Sequence, residues 1–408
     1  MPAPHALVIG AGMAGASAAS ALARQGWQVQ VLDAAPAPAL GASSLPAGLM
    51  APHLSADDGL LSRLTRRGLL HTRAELDRLS ETGRLRPGLD WQADGTLEHR
   101  VRHRRPVALP EQGAGASRPA HPEELAAAGL PADAPAIWHP QAGWVRPNAL
   151  VRAWLAEPGV RFQGNTRVER LVPGDANQAK TGPAWQALDE SGRVVAEAQL
   201  AVIEAALGSA ALAKGRLRLQ PVRGQVSWGL RRAEDTLPPF PVNGSGHLLT
   251  GVPLAEGLAW LTGSSYGHGE RDTQPRQEDH AANLARIRAL LPAAAEALAP
   301  TFADGTVQAW TGVRCASTDR RPLVGQLAPG LWTLTALGSR GLTFAALCAA
   351  LLASRVAGQG LPLPADLAAA LDLARQGVAA SLAFAEDSPA SRAKPREFAY
   401  PDKTPTKN

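Results

Sequence analysis

Residues 6–33 read ALVIGAGMAGASAASALARQGWQVQVLD. An apolar run of strand length (6–10) leads into GAGMAG (10–15), then a small-residue segment of helical character, then WQVQVLD, a second strand ending in an acid. Strand, tight turn, helix and a strand tipped by an acid form the dinucleotide-binding fingerprint, and each residue type has a physical task. Gly10 allows the sharp turn, Gly12 lets the backbone approach a pyrophosphate, and Gly15 lets the helix pack close to the sheet. Met13 and Ala14 open that helix, whose first N–H groups face the phosphates, and Asp33 can accept from ribose hydroxyls. With 40 glycines in 408 residues, a bare G-x-G-x-x-G is expected by chance about 0.4 times in a chain of this length. The specificity therefore comes from the strand before it, the helix after it and the acid further on.

The composition narrows the class. At 45% hydrophobic residues the chain can bury a sizeable core. Its opening segment lacks the basic stretch of a secretion signal and meets a glycine-rich turn where a cleavage site would stand. No apolar run reaches the roughly 18–20 residues of a membrane span. A cytoplasmic location with no membrane partner is expected. Two cysteines, Cys315 and Cys348, are too few for a metal-ligand set, so no metal site is expected. Lys and Arg exceed Asp and Glu by 41 − 36 = 5, with a pI of about 9.7, a balance that permits a nucleic-acid partner without requiring one. The densest basic clusters are RVRHRRP (100–106) and RLTRR (63–67), each readable as a solvated face or as a contact for phosphates.

The middle of the chain is β-rich. DWQADGTLEHRV (90–101) alternates like a strand pair, and PEELAAAG (122–129) and ALVRAWLAE (149–157) are short helices. The segments around RFQGNTRVERLV and AWQALDESGRVVAEAQL read as strands, with ESGR a hairpin tip. QPVRGQVSWGL and GHLLTGVPLAEGLAWLTGSSY continue the strand pattern, and EDHAANLARIRALLP (278–292) is a helix with a proline stop. LWTLTALGSRGLTFAALCAALLASRVAG (331–358) repeats the opening logic of strand, glycine-bearing loop and apolar helix. Its loop would offer backbone N–H groups to an anionic ring edge or phosphate, or be a simple connection. Only one fingerprint is present, because neither GSGHLL (244–249) nor GQGLPLP (358–364) follows a strand and opens a helix. One dinucleotide is expected, and the returning strand-loop-helix favours FAD. The long β-rich insertion suggests a second domain covering it.

In GVRCASTDRRPLVG (312–325), Arg314 falls where the apolar run TVQAWTGV should enter the interior. An unpaired buried guanidinium costs several kcal/mol, so it needs an anion, either a ligand or a protein acid such as Asp319.

These stretches, together with GASSLPAGLMAPHLS, HPQAGWVRPNALVRAWL, VRGQVSWG and GSSYGHGERDTQPRQEDHAANLARIRALLP, occur in an order that resembles the D-amino-acid oxidase-like (DAO) superfamily over about residues 5–375. Within it, the chain is similar to the FAD-dependent oxidase half of the bifunctional tRNA-modifying MnmC family. The resemblance implies a Rossmann-like FAD-binding domain with a β-rich substrate-binding domain, of mixed α/β and α+β class. It also implies oxidation of the glycine-like side chain of 5-carboxymethylaminomethyl-uridine at the tRNA wobble position, giving glyoxylate and 5-aminomethyl-uridine. Arg314 matches the arginine that holds the substrate carboxylate in related oxidases. Tyr266 and His53 lie in matching segments as pocket residues, or as a packed aromatic and a loop histidine. Gly41, Ala42 and Ser43 resemble the loop near the FAD pyrophosphate and flavin. Gly338, Ser339, Arg340, Gly341 and Leu342 resemble the loop beneath the pyrimidine edge of the flavin. Arg223 and Gln225 are expected on the substrate side of the ring.

The match also departs in places. Ser44-Leu45 stands where Gly-Asn is expected, and IEAALG (203–208) replaces a small polar strand end. The resemblance starts near Met1, so the expectation is a stand-alone oxidase half lacking the methyltransferase domain, with tRNA as substrate and methylation left to a separate protein. The alternatives are a glycine-, sarcosine- or D-amino-acid-type amine oxidase and a flavin-bearing tRNA-binding protein without turnover. The expected division is 1–88, 140–215 and 312–375 for the FAD domain, 89–139 and 216–311 for the substrate domain, and a flexible tail over 376–408.

Overall fold

The opening stretch folds as strand, turn, helix and strand in the computed structural model, which describes residues 3–101, 109, 115–174 and 185–378. The chain runs β1 (His5–Ile9), α1 (Met13–Ala23), β2 (Gln28–Leu32), α2 (Leu60–Glu81), β3 (Thr96–His99), β4 (Val160–Gln163) and β5 (Leu200–Ile203). It continues with β6 (Leu219–Leu230), β7 (His247–Leu254), β8 (Gly257–Gly263), α3 (Gln277–Leu290), β9 (Gln308–Ser317), β10 (Leu323–Ala328), β11 (Leu331–Thr335) and α4 (Gly341–Val356), with shorter elements between.

Six strands of the described residues form one sheet in the order β10-β11-β5-β1-β2-β4, parallel except for the β10–β11 pair. The two strands at its centre, β1 after His5 (ALVI) and β5 (LAVI), are unbroken apolar runs because both faces are covered. Val8, Val31 and Val202 are fully buried, and burying each such side chain is worth about 1.5–3 kcal/mol. The helix α1 is built from Met, Gly, Ala, Ser and Leu alone, so it packs closely against the sheet and against α4. A β carbon on Gly15 would collide with the Gly10 carbonyl, which is why glycine stands there.

Among the described residues, nine strands form the second sheet. It runs through β6, β8 and β7 to β3, and β9 pairs antiparallel with β6 over ten residues, from Leu219 opposite Ser317 to Trp228 opposite Gln308. The mixed α/β and α+β class expected from the sequence is the one observed.

Several local expectations are corrected. The segment 90–101 holds two strands that do not pair: Trp91–Gln92 joins a small three-stranded sheet, while β3 joins the large one. Alternation reports a half-buried face, and both strands have one, but it does not name the partner. Pro292 does more than stop α3, because it is the first residue of the next helix, Pro292–Ala303, where its missing N–H is not needed. The proposed boundary at 312 falls inside β9, so Arg314 belongs to the large sheet. Among the described residues one helical stretch, Gly338–Val356, is long and apolar enough to cross a bilayer by length and composition, but most of it is buried inside the fold as a core helix. Residues 379–408 of the expected tail and residues 102–106 of the basic cluster lie outside the described residues.

Candidate active site

The two sheets face a cavity of about 1260 Å³, above the ~300–1000 Å³ of most small-ligand sites. One end is made largely of backbone. Gly10, Gly12, Met13, Ala14 and Asp33 line it, as do Gly41, Ala42 and Ser43, while Gly15 stands behind the wall where it lets α1 approach. Gly10 has φ +113°, a conformation that side-chain-bearing residues rarely adopt. Asp33 fixes this turn, its Oδ2 accepting from the Ala11 amide at 2.7 Å and its Oδ1 from the Ala35 amide at 2.8 Å. The Met13 amide donates to Ser43 Oγ at 3.1 Å. Ser44, a departure from the expected pattern, accepts from Trp310 Nε1 at 3.0 Å and so ties the loop to β9. No acidic residue occupies the first turn of α1, which leaves its positive end to an anion.

Side chains make the other end. The Arg314 guanidinium lies over Gly224, where a β carbon would collide with it, and so uses the space that Gly leaves in VRGQV. Its Nη2 donates to Ser264 Oγ at 2.7 Å and its Nη1 to the Arg223 carbonyl at 3.4 Å. The Tyr266 ring lies 5.0 Å from its Cζ, within cation–π range. Burial lowers the Arg314 pKa, with Tyr266 opposing the shift. Arg314 has no carboxylate partner among the described residues. Asp319, its conceivable partner from the sequence, is bound by Arg321 and Arg375 at 2.7 and 2.8 Å. Arg340 also lines the cavity with its pKa lowered by burial, beside Gly338, Ser339, Gly341 and Leu342. Two cations with no acid partner among the described residues thus line the cavity.

Tyr266, at 55% exposure, stands at the mouth, and His53 lines the wall, where its field acts on Glu98. Arg223 and Gln225 are not on the substrate side. Arg223 is buried, ion-paired to Asp279 and bonded to the Asp272 and Gln274 carbonyls, while Gln225 donates to the Arg276 carbonyl, so both anchor the 272–279 segment. The basic cluster at 63–67 also lies off the cavity, with Arg63 paired to Asp366 and Arg66 to Asp58. Sequence reasoning passed over His247, which lines the cavity near Arg314 and whose pKa burial and that guanidinium push down to about 4. A histidine at the entrance of an otherwise apolar strand, HLLTGVPL, was its only signal. Glu204, in the IEAALG departure, is buried with both carboxyl oxygens unpartnered, and burial raises its pKa well above the ordinary range.

Residues 5–355 match the family described as FAD dependent oxidoreductase (DAO). The chain belongs to that family. Within the family it is 50% identical over 393 residues to the tRNA 5-methylaminomethyl-2-thiouridine biosynthesis bifunctional protein MnmC of Delftia acidovorans, covering 91% of this chain and 61% of that one. It is 48% identical over 380 residues to the protein of the same name from Polaromonas naphthalenivorans, covering 88% and 58%. The chain therefore spans about 60% of the length of these curated relatives. Glycine oxidase from Geobacillus kaustophilus shares the DAO fold, with a TM-score of 0.69 at 19% identity over 91% of this chain and 99% of that one. Iminodiacetate oxidase from Chelativorans sp. BNC1 gives a TM-score of 0.65 at 23% identity over 88% and 97%.

The residues present fit the cofactor of the DAO family. The first amides of α1 lack intrahelical partners and face a cavity wall that Gly12 leaves without a side chain, which suits a diphosphate. Asp33 keeps acceptor lone pairs beyond its two backbone bonds, which suits ribose hydroxyls. Arg340 and the 338–342 backbone supply positive charge and N–H groups for an electron-rich ring edge.

Proposed function

We propose that the protein is an oxidase that cleaves the C–N bond of a glycine-like substituent, the carboxymethylaminomethyl group of 5-carboxymethylaminomethyl-uridine at the tRNA wobble position. The products are glyoxylate and 5-aminomethyl-uridine. The observation that carries this reading is Arg314, a guanidinium in the cavity with no acid partner among the described residues. A carboxylate supplies the missing charge through a bidentate, charge-assisted pair. Similarity to the MnmC proteins, whose name concerns a tRNA 5-methylaminomethyl-2-thiouridine, favours the modified uridine over a free amino acid.

FAD held by these residues would supply the two-electron acceptor for this chemistry. The task of the protein is mainly positioning. Arg314 fixes the carboxylate, Ser264 and Gly224 fix Arg314, and Tyr266 closes the guanidinium from the mouth side. Loss of hydride from the carbon beside the amine leaves an imine in the substrate, which water hydrolyses to glyoxylate and the primary amine. Gly10, Gly12, Met13, Ala14, Asp33, Gly41, Ala42, Ser43 and the 338–342 loop hold the cofactor, and Gly15 supports them by close packing. The protein works in the cytoplasm.

A second reading, a small-molecule amine oxidase, draws on the ion-paired state of Arg63 and Arg66, which removes one cluster from phosphate binding. Incubation with tRNA bearing the carboxymethylaminomethyl group, followed by nucleoside analysis, separates the two. Equal amounts of aminomethyl-uridine and glyoxylate are expected, with no turnover of glycine or sarcosine. Oxidation of the free amino acids with untouched tRNA would establish the second reading instead.

A further inference from the structure

A secondary amine attached to a carboxymethyl group carries a proton at neutral pH, as an ordinary alkylammonium does. Hydride cannot leave the adjacent carbon until the nitrogen lone pair is free, so the cavity needs a proton acceptor. Most titratable groups on its wall are already engaged. Asp33 is bound to two backbone amides, Glu98 to His139 and Arg100, and His99 Nδ1 to the Leu290 carbonyl. The Glu204 oxygens are buried, and Arg314 and Arg340 are cations. His247 is different: it lines the cavity, and its ring has no hydrogen-bond partner among the described residues. Strand register puts it opposite Gly263, one residue before Ser264, whose hydroxyl holds Arg314.

We propose that His247 is the base that takes the proton from the substrate amine, a role that rests on the carboxylate reading of Arg314. The ammonium N–H bond breaks, the proton bonds to an open imidazole nitrogen of His247, and the electron pair stays on the amine. The proton returns to water as the imine hydrolyses. On the cavity side Arg314 of β9 is the charge that acts on the ring, Tyr266 beyond β8 lies against that guanidinium, and His53, Glu98, His99, Arg100 and Arg340 line the same cavity. Arg286 of α3 packs at Gly246, and the backbone of His99 in β3 packs at Gly244. Burial and the Arg314 charge keep the free imidazole neutral. A carboxylate seated on Arg314 cancels that charge, so the base strengthens when substrate arrives.

The test uses FAD-loaded protein with 15N-labelled histidine and acetate, a carboxylate with no amine to oxidise. The imidazole resonances of His247, assigned with His247→Asn, should protonate only near pH 4 in free protein and at least one pH unit higher with acetate bound. His247→Asn should bind acetate as the wild type does but bleach the flavin about 10²–10⁴-fold more slowly with modified tRNA at pH 7. Its rate should recover tenfold per pH unit toward the pKa of the amine. A titration unmoved by acetate, or a wild-type bleaching rate in His247→Asn, overturns the role of His247 while Arg314-dependent acetate binding keeps the carboxylate reading intact. Acetate binding indifferent to Arg314→Ala overturns both.

Discussion

The two ends of the cavity are built by different means. The dinucleotide end is backbone: a glycine turn, the first amides of α1 and one acid that bonds the turn itself, all within residues 10–35. The substrate end is side chains brought together by strand pairing, with Arg314 from β9, the glycine it rests on from β6, Ser264 after β8 and His247 from β7. A backbone site tolerates little change at its glycines and is indifferent to most other side chains. A side-chain site can lose one group and keep its fold.

Gly15→Val should break the first end outright. A side chain there meets the Gly10 carbonyl in a close-packed helix-sheet contact, costing about 3 kcal/mol. The protein should purify colourless or with a sharply lowered melting temperature. A yellow, stable variant would show that α1 need not approach the sheet. Gly224→Ala probes the second end more gently, since the added methyl displaces the Arg314 guanidinium and leaves its charge in place. Flavin content and thermal stability should hold while kcat/KM falls about 10–100-fold, the scale of an ångström of misplacement. An equal loss of flavin would contradict the separation of the two ends.

The difference also explains what could be read in advance. The fingerprint was legible because its determinants are contiguous, and Gly10, Gly15 and Asp33 perform the local tasks that their types suggest. Arg314 was legible as a charge in an apolar strand, but its partners were not, because Gly224 and Ser264 matter only once register is known. Arg223 was misplaced for the same reason: adjacent positions on a strand face opposite ways, and its carboxylate partner, Asp279, lies 56 residues away. His247 gains its place beside Arg314 only from the pairing of β7 with β8, which its sequence context does not reveal.

Glu204 gives the smallest expected effect. Burial raises its folded pKa above the unfolded value, so its contribution is least harmful below the ordinary carboxylate range and costs stability as pH rises from there toward the folded pKa. Glu204→Gln should flatten that decline in a series of melting curves from pH 4.5 to 9. An identical pH dependence in both proteins would mean that Glu204 ionises freely despite its burial.

The most direct measurement is anaerobic mixing of FAD-loaded wild type and Arg314→Ala with tRNA bearing the carboxymethylaminomethyl group, followed by flavin absorbance. The wild type should bleach, and the variant, with its flavin still bound, should bleach about 10²–10³-fold more slowly, the usual cost of truncating one member of a buried charge pair. Bleaching at the wild-type rate in the variant would remove Arg314 from substrate recognition.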